Sequence, residues 1–327
     1  MANLAQQVER FAGLRALIIG DVMLDSYIWG AVDRISPEAP VPVVQVRQRD
    51  VRLGGAANVA LNMQSLGAVP ILVALAGQDD AGQRMLAILR DAGMETRGIV
   101  TSAERPTTVK TRVIANHQHV VRVDDETDRP ASPSEEDTLL EKIEALLAGC
   151  QVVVFEDYDK GTITPRLIKA VVARAQRQQI PTVVDPKKRN FLAYEGVTLF
   201  KPNLKELREG LKIEVQANQI AAVQQAVALL KQQLTVKGVL LTLSENGVLI
   251  DAGGEVVHLP AHVREIADVS GAGDTVVSIA ALGVALGLAP ASIAALANLG
   301  GGLVCQHVGV VPINRAELMA EAARLQV

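Results

Sequence analysis

Aromatic side chains are scarce in this sequence, 2% of 327 residues, although 49% of the chain is hydrophobic. The core therefore has to be built from Ala, Val, Leu and Ile, which suits helices packed on a buried parallel sheet. Cysteine is nearly absent. Cys150 and Cys305 stand far apart with no CxxC or His/Cys spacing, which excludes a disulfide framework and a cysteine-based zinc site and fits a reducing cytoplasm. No basic excess exists either: 32 Lys and Arg face 36 Asp and Glu, so a formal net charge of -4 lacks the footprint of a nucleic-acid partner. The N-terminal stretch carries Glu9 and Arg10 where a signal peptide needs an apolar segment. One run, Thr275 to Gln306, has no charged residue and is long enough to span a membrane. Pro290 cuts it, and Gly283, Gly287 and Gly300 to Gly302 loosen it, so two buried helices and no membrane association are expected.

What the sequence does have is an alternation of short apolar runs with amphipathic ones. Leu14 to Gly20, Ile71 to Ala76, Ile99 to Val100, Val152 to Phe155, Thr182 to Val184, Thr198 to Phe200 and Gly238 to Leu243 read as strands, followed by Gly247 to Asp251 and Glu255 to Leu259. Helices are expected at Ala81 to Ala92, Pro165 to Gln178, Leu204 to Glu209, Gln216 to Gln233 and Arg315 to Arg324. Another runs to Leu147 from a Ser134 cap, with Asp137 at the third helical position. This alternation implies an α/β fold, a doubly wound, largely parallel sheet whose ligands bind beyond the carboxyl ends of its strands. Two pairs of segments break the rhythm. Tyr27 to Gly30 with Val41 to Arg47, and Thr107 to Ala115 with His119 to Asp124, read as a small β-sheet lid inserted at about 27–48 and 105–124 of a domain covering residues 1–327. His117 and His119 are read as a hairpin tip rather than a metal pair, because no third ligand stands beside them.

The chemistry concentrates at Asp268-Val-Ser-Gly-Ala-Gly-Asp274, just before the uncharged run. Gly271, Ala272 and Gly273 allow a tight turn whose main-chain N–H groups converge on an anion at a helix start. Asp274 is a carboxylate placed among donors meant for negative charge, as a general base would be; capping alone would also favour it there. Further polar residues fall at strand ends: Asp25, Asp157, Asp185, Lys201 and Asn203. Glu206 lies one turn beyond Asn203, so the two can hold the water shell of Mg²⁺ or simply form a capping box. After Asp185 come Lys187, Lys188 and Arg189, of which Lys188 reads as solvated and the other two as emerging at the ligand edge. No GxxxxGK[ST] is present, and the glycine pair at 271 and 273 lacks the third glycine of a dinucleotide loop.

Taken together, these motifs resemble the ribokinase-like (PfkB-type) carbohydrate kinases over essentially the whole length. The resemblance rests on Leu53-Gly-Gly-Ala-Ala-Asn58 running to Leu66-Gly67-Ala68, on Asn203-Leu-Lys-Glu206 and on Asp268 to Asp274. Within that family Arg34-Ile-Ser-Pro-Glu-Ala-Pro-Val-Pro-Val-Val44 and Asp157-Tyr-Asp-Lys-Gly161 look like the kinases of D-glycero-β-D-manno-heptose 7-phosphate. The resemblance implies an enzyme using ATP and Mg²⁺ on a small sugar phosphate, with Asp274 as base and Gly271, Ala272 and Gly273 as anion hole. It implies that Asn203, Glu206, Thr242, Ser244, Gly247 and Asn298 serve the nucleotide, Glu206 through water on the metal. Asp25, Gly54, Gly55, Asn58 and Asp157 would serve the sugar. Lys187 and Arg189, with Lys110 and Arg112 on one face of the lid hairpin, are the expected partners of the substrate phosphate. Two positions depart from the family pattern, Ser270 for a commoner threonine and Glu156 where a small residue is usual. Some relatives join the kinase to an adenylyltransferase; ending at Val327, this chain is expected to leave that step to a separate enzyme. The lid edges make a homodimer the expected assembly. A regulatory sugar- or nucleotide-binding protein on the same scaffold is the other class, and the intact Asp274 speaks against it.

Overall fold

The computed structural model describes residues 3–116, 118–262 and 265–325. Strands are β1 (Arg15–Gly20), β2 (Val22–Ile35), β3 (Pro42–Gly55), β4 (Val69–Gly77), β5 (Ile99–Ser102), β6 (Thr108–Ala115), β7 (Gln118–Asp125), β8 (Val152–Glu156), β9 (Thr182–Asp185), β10 (Leu199–Phe200), β11 (Gly238–Thr242), β12 (Val248–Ala252) and β13 (Glu255–Leu259). Helices are α1 (Leu4–Glu9), α2 (Ala56–Ser65), α3 (Asp80–Asp91), α4 (Pro133–Leu147), α5 (Pro165–Arg177), α6 (Leu204–Leu211), α7 (Ile220–Leu234), α8 (Ala272–Ala285), α9 (Pro290–Val304) and α10 (Arg315–Ala322).

Among the described residues a nine-stranded sheet runs β13-β12-β11-β10-β9-β8-β1-β4-β5, parallel except at β11-β12-β13. Aliphatic side chains fill both of its faces. Ile18, Leu72 and Val154 pack against α2, α8 and α9 on one side, while Ile19, Val153 and Val184 pack against α4, α5 and α7 on the other. The expectation of a doubly wound, mostly parallel sheet with a second small sheet holds. The uncharged run becomes α8 and α9, packed side by side and split at Pro290, and no helix among the described residues is long and apolar enough to cross a membrane.

The lid is a separate four-stranded sheet, β3-β2-β6-β7. Its first two strands are far longer than the alternation indicated. Val22, Met23 and Leu24 are all buried, so no period-two signal marks the beginning of β2, and Asp25 lies inside a lid strand rather than at the end of β1. Leu53, Gly54 and Gly55 end β3, and α2 begins at Ala56. Gly55 has φ +59°, and a Cβ there would sit 2.4 Å from the Asp21 carbonyl oxygen, so only glycine allows β3 to turn into α2. α4 is capped by Ser132, not Ser134, in a capping box with Glu135, because Pro133 takes the first helical position. His117 lies outside the described residues, and no cluster of three or more potential metal ligands occurs among the described ones.

Candidate active site

Three elements meet where α8 begins. Gly271 takes the left-handed conformation, φ +81°, and no side chain caps the helix, so the amides of its first turn keep no side-chain acceptor. Asp268 pins the preceding turn. One of its oxygens accepts from Ser270 N at 2.9 Å and Ser270 Oγ at 2.8 Å, and the other from Gly309 N at 2.9 Å. Asp274 follows in the first turn of α8, buried, with Oδ2 accepting from Asn58 Nδ2 at 2.7 Å and Oδ1 from Tyr158 Oη at 2.8 Å. Burial raises its pKa to about 6 and the neighbouring Asp185 adds to that; the hydrogen bonds from Asn58 and Tyr158 and the charge of Lys201 work the other way. Desolvation of this kind belongs to the assembled fold and is reported by no motif.

Beneath this turn Lys201 Nζ lies 2.8 Å from Asp185 Oδ2, both side chains buried, and a Cβ on Gly273 would stand 3.8 and 3.7 Å from those two atoms. Lys201 brings a positive charge to the floor of the anion turn, balanced by Asp185.

On one flank Thr242, Ser244, Gly247, Ala272, Gly273 and Asn298 line a single cleft of about 390 Å³, with Val248, Ile266 and Val276 as apolar wall. Asn298 donates from Nδ2 to the Pro260 carbonyl at 2.8 Å. Asn203 and Glu206 form the capping box of α6, and the second Glu206 oxygen takes Lys187 Nζ at 2.7 Å. On the other flank stands the lid. Asp25 meets Arg112 Nη1 at 2.5 Å, Gly54 packs so closely on Asp25 that a Cβ would lie 2.2 Å from Oδ2, and Arg112 and Arg52 lie over the Tyr27 ring. Lys110 and Lys160 share Glu126, at 2.8 and 2.6 Å, and Arg189 holds Asp128 at 2.8 Å.

Two groupings read from the sequence come apart. Lys187 was placed with Arg189 and Lys110, yet it sits on Glu206 of α6 with its ammonium 5.0 Å from the Tyr158 ring centre; Lys188 reaches Glu209 of the same helix, and Arg189 turns to Asp128. Asp157 was placed with the sugar residues, yet it turns into the core, taking Tyr194 Oη at 2.7 Å and Asn190 Nδ2 at 3.0 Å. Three residues were missed. Tyr158 holds the base, and Asp21 gathers the amides of Tyr158, Lys160 and Thr162 at 2.9, 3.0 and 2.9 Å to shape that loop. Glu156 ends β8 fully buried. All three stand at or just beyond strand ends, which was the available signal.

The family model "pfkB family carbohydrate kinase" matches residues 14–316. The chain is similar to the bifunctional protein HldE of Caulobacter vibrioides, 43% identical over 99% of this chain and 66% of that protein, and to that of Trichlorobacter lovleyi, 40% identical over 95% and 63%. It thus spans slightly less than two thirds of the length of these relatives. Its fold is similar to Escherichia coli phosphofructokinase-2 solved with fructose-6-phosphate, TM-score 0.77 at 20% identity over 96% of this chain and 100% of that one. It is similar also to Arabidopsis thaliana ribokinase solved with ribose and ATP, TM-score 0.73 at 17% identity over 96% and 100%. With an uncapped glycine turn, a buried carboxylate at its rim and a cleft on one side facing a lid on the other, the chain belongs to the pfkB family of carbohydrate kinases, enzymes that use ATP to phosphorylate sugars.

Proposed function

We propose that this kinase phosphorylates D-glycero-β-D-manno-heptose 7-phosphate at its anomeric O1, giving the 1,7-bisphosphate on the way to ADP-heptose and lipopolysaccharide core. The observation that carries the chemistry is Asp274, held by Asn58 and Tyr158 at the rim of the anion turn, between the cleft and the lid. Asp274 accepts the proton of the sugar hydroxyl as that oxygen bonds to the terminal phosphorus of ATP. The bond from phosphorus to the bridging oxygen breaks, and ADP leaves with the electron pair. The amides at Gly271 to Gly273 receive the charge on the equatorial oxygens, so this chain supplies mainly position and electrostatics. Asp185, beneath Gly273, and Glu206, in the first turn of α6, offer the oxygen donors that suit Mg²⁺, which binds through few protein oxygens and keeps its waters; when bound it would supply charge neutralisation on the polyphosphate.

The name shared by the relatives supports the substrate, as does the chemistry of the lid. A sugar phosphate brings about -1.5 to -2 charges that need partners. Lys110, Lys160 and Arg189 are held together on the acidic 124–128 segment, cations that a phosphate can take over from Glu126 and Asp128. Lys187, on Glu206, is assigned instead to the nucleotide end. Arg189→Ala should raise KM for heptose 7-phosphate about 10- to 100-fold with little change for an unphosphorylated heptose. Lys187→Ala should raise KM for ATP. Equal losses for both sugars in Arg189→Ala would refute the assignment, and an ADP-release assay over sugar phosphates, fructose 6-phosphate and ribose included, tests the substrate itself.

Asp274 works deprotonated, so kcat/KM should rise with pH through about 6 and then level. The substrate's phosphate titrates in the same region. Tyr158→Phe separates the two: it removes a hydrogen bond that favours the ionised base, so the limb should move to higher pH, whereas a limb owned by the substrate would stay.

The lid edges β3 and β7 and the exposed Val46, Val121 and Val123 support a homodimer through the lid. Light scattering should then give about twice 34.7 kDa; a monomeric mass would exclude it.

A further inference from the structure

The electrostatic floor of the site has one member that this mechanism leaves idle. Glu156 is completely buried at the end of β8, and neither carboxylate oxygen has a hydrogen-bond partner among the described residues. Burial and the neighbouring Asp185 and Asp274 push its carboxyl group toward the neutral form, and oxygens buried without a partner cost free energy that a ligand completing them would recover. The surroundings of Glu156 indicate which ligand. Glu156 is in register with Asp185 on the adjacent parallel strand, which puts the two side chains on the same face of the sheet, while its other neighbour, Gly20, has no side chain to fill the space. The charges facing it are Asp185 from β9, Asp274 from α8, and Lys187 and Lys201 from the segments after β9 and β10; Tyr158 stands beside it as well. With Glu206 these side chains comprise four carboxylates against two ammonium groups, and Lys201 is already committed to Asp185 and Lys187 to Glu206.

We propose that Glu156 is a direct ligand of a divalent cation, held between it and Asp185 beneath the anion turn. An oxygen-only donor set of two carboxylates suits Mg²⁺ or Mn²⁺, which complete their shells with water and phosphate oxygens. The inference rests on the phosphoryl-transfer reading of the cleft, and the test is chosen to fail separately from it.

The test is Mn²⁺ binding to the whole chain, followed by electron paramagnetic resonance with and without ADP, for the native protein and for Glu156→Gln and Glu156→Asp. Glu156→Gln is nearly isosteric and, in chelator, replaces a carboxyl group that burial and the neighbouring Asp185 and Asp274 push toward its neutral form, so it should fold and melt close to the native protein there. It should bind Mn²⁺ at least about ten-fold more weakly and lose most of the rise in Tm that Mn²⁺ gives the native chain. Glu156→Asp, which keeps the charge on a shorter arm, should retain part of that binding. Unchanged Mn²⁺ affinity in Glu156→Gln would overturn the proposal. So would a loss confined to KM for the sugar, which would make Glu156 a hydroxyl acceptor instead. Retained turnover in Asp274→Asn would count against the base and leave the Mn²⁺ result standing.

Discussion

Asp274→Asn is expected to lower kcat by about 10²–10⁴, or roughly 3–5 kcal/mol of barrier, with little effect on folding. The substitution keeps the shape and removes the proton acceptor. Tyr158 can still donate to the amide oxygen, while the new NH₂ faces the Asn58 Nδ2 donor, an opposition that Asn58 relieves by turning its own amide. The reaction would then proceed on the remaining position and charge stabilisation. The check is steady-state kinetics on protein shown by circular dichroism to be folded, and near-native turnover would remove Asp274 from the role of base.

Lys201→Met is expected to cost about 3–5 kcal/mol of stability, the usual penalty for breaking a buried ion pair from one side. Its ammonium is the partner of Asp185 and one of two cations close to Glu156. Removing it leaves Asp185 uncompensated in the interior. Burial alone would push the Lys201 ammonium down, yet Asp185 and Glu206 outweigh it and hold the group above its ordinary range, so the positive charge is a fixed part of the floor. The same loss withdraws the charge that opposes protonation of Asp274, and the limb near pH 6 should shift upward in whatever folded protein remains. Chemical denaturation of Lys201→Met, Asp185→Asn and the double variant closes the cycle: the double variant should recover much of the stability, because no buried charge is then left alone. Additive losses would mean that the two side chains act independently.

The scaffold was legible where periodicity is simple. β8 and β9 ended within a residue of expectation, and the Pro290 break was read correctly, because short apolar strands and a proline leave strong local marks. β2 was not legible in full. Its first residues are buried where the lid meets α2 and β4, so its alternation begins only near Tyr27. The capping serine of α4 was missed by two positions because Pro133, a first-turn residue, was passed over. For the site, the glycine turn, Asn58 and Asp185 were singled out by residue type, and the structure brings them together with Asp274 at the start of α8. What could not be read was direction. Whether Lys187 or Arg189 turns to Glu206 depends on the path of a short loop, and whether Asp157 or Tyr158 faces Asp274 depends on one step of strand alternation. The basicity of Asp274 was hidden for a related reason, since burial is a property of the assembled fold.

The whole account stands on one meeting point, and a crystal structure with a non-hydrolysable ATP analogue and heptose 7-phosphate examines it directly. The terminal phosphoryl group should lie against the main-chain amides of residues 271–273, with the anomeric oxygen within hydrogen-bonding reach of Asp274. A triphosphate bound away from that turn, or a sugar whose anomeric oxygen points away from Asp274, would contradict it.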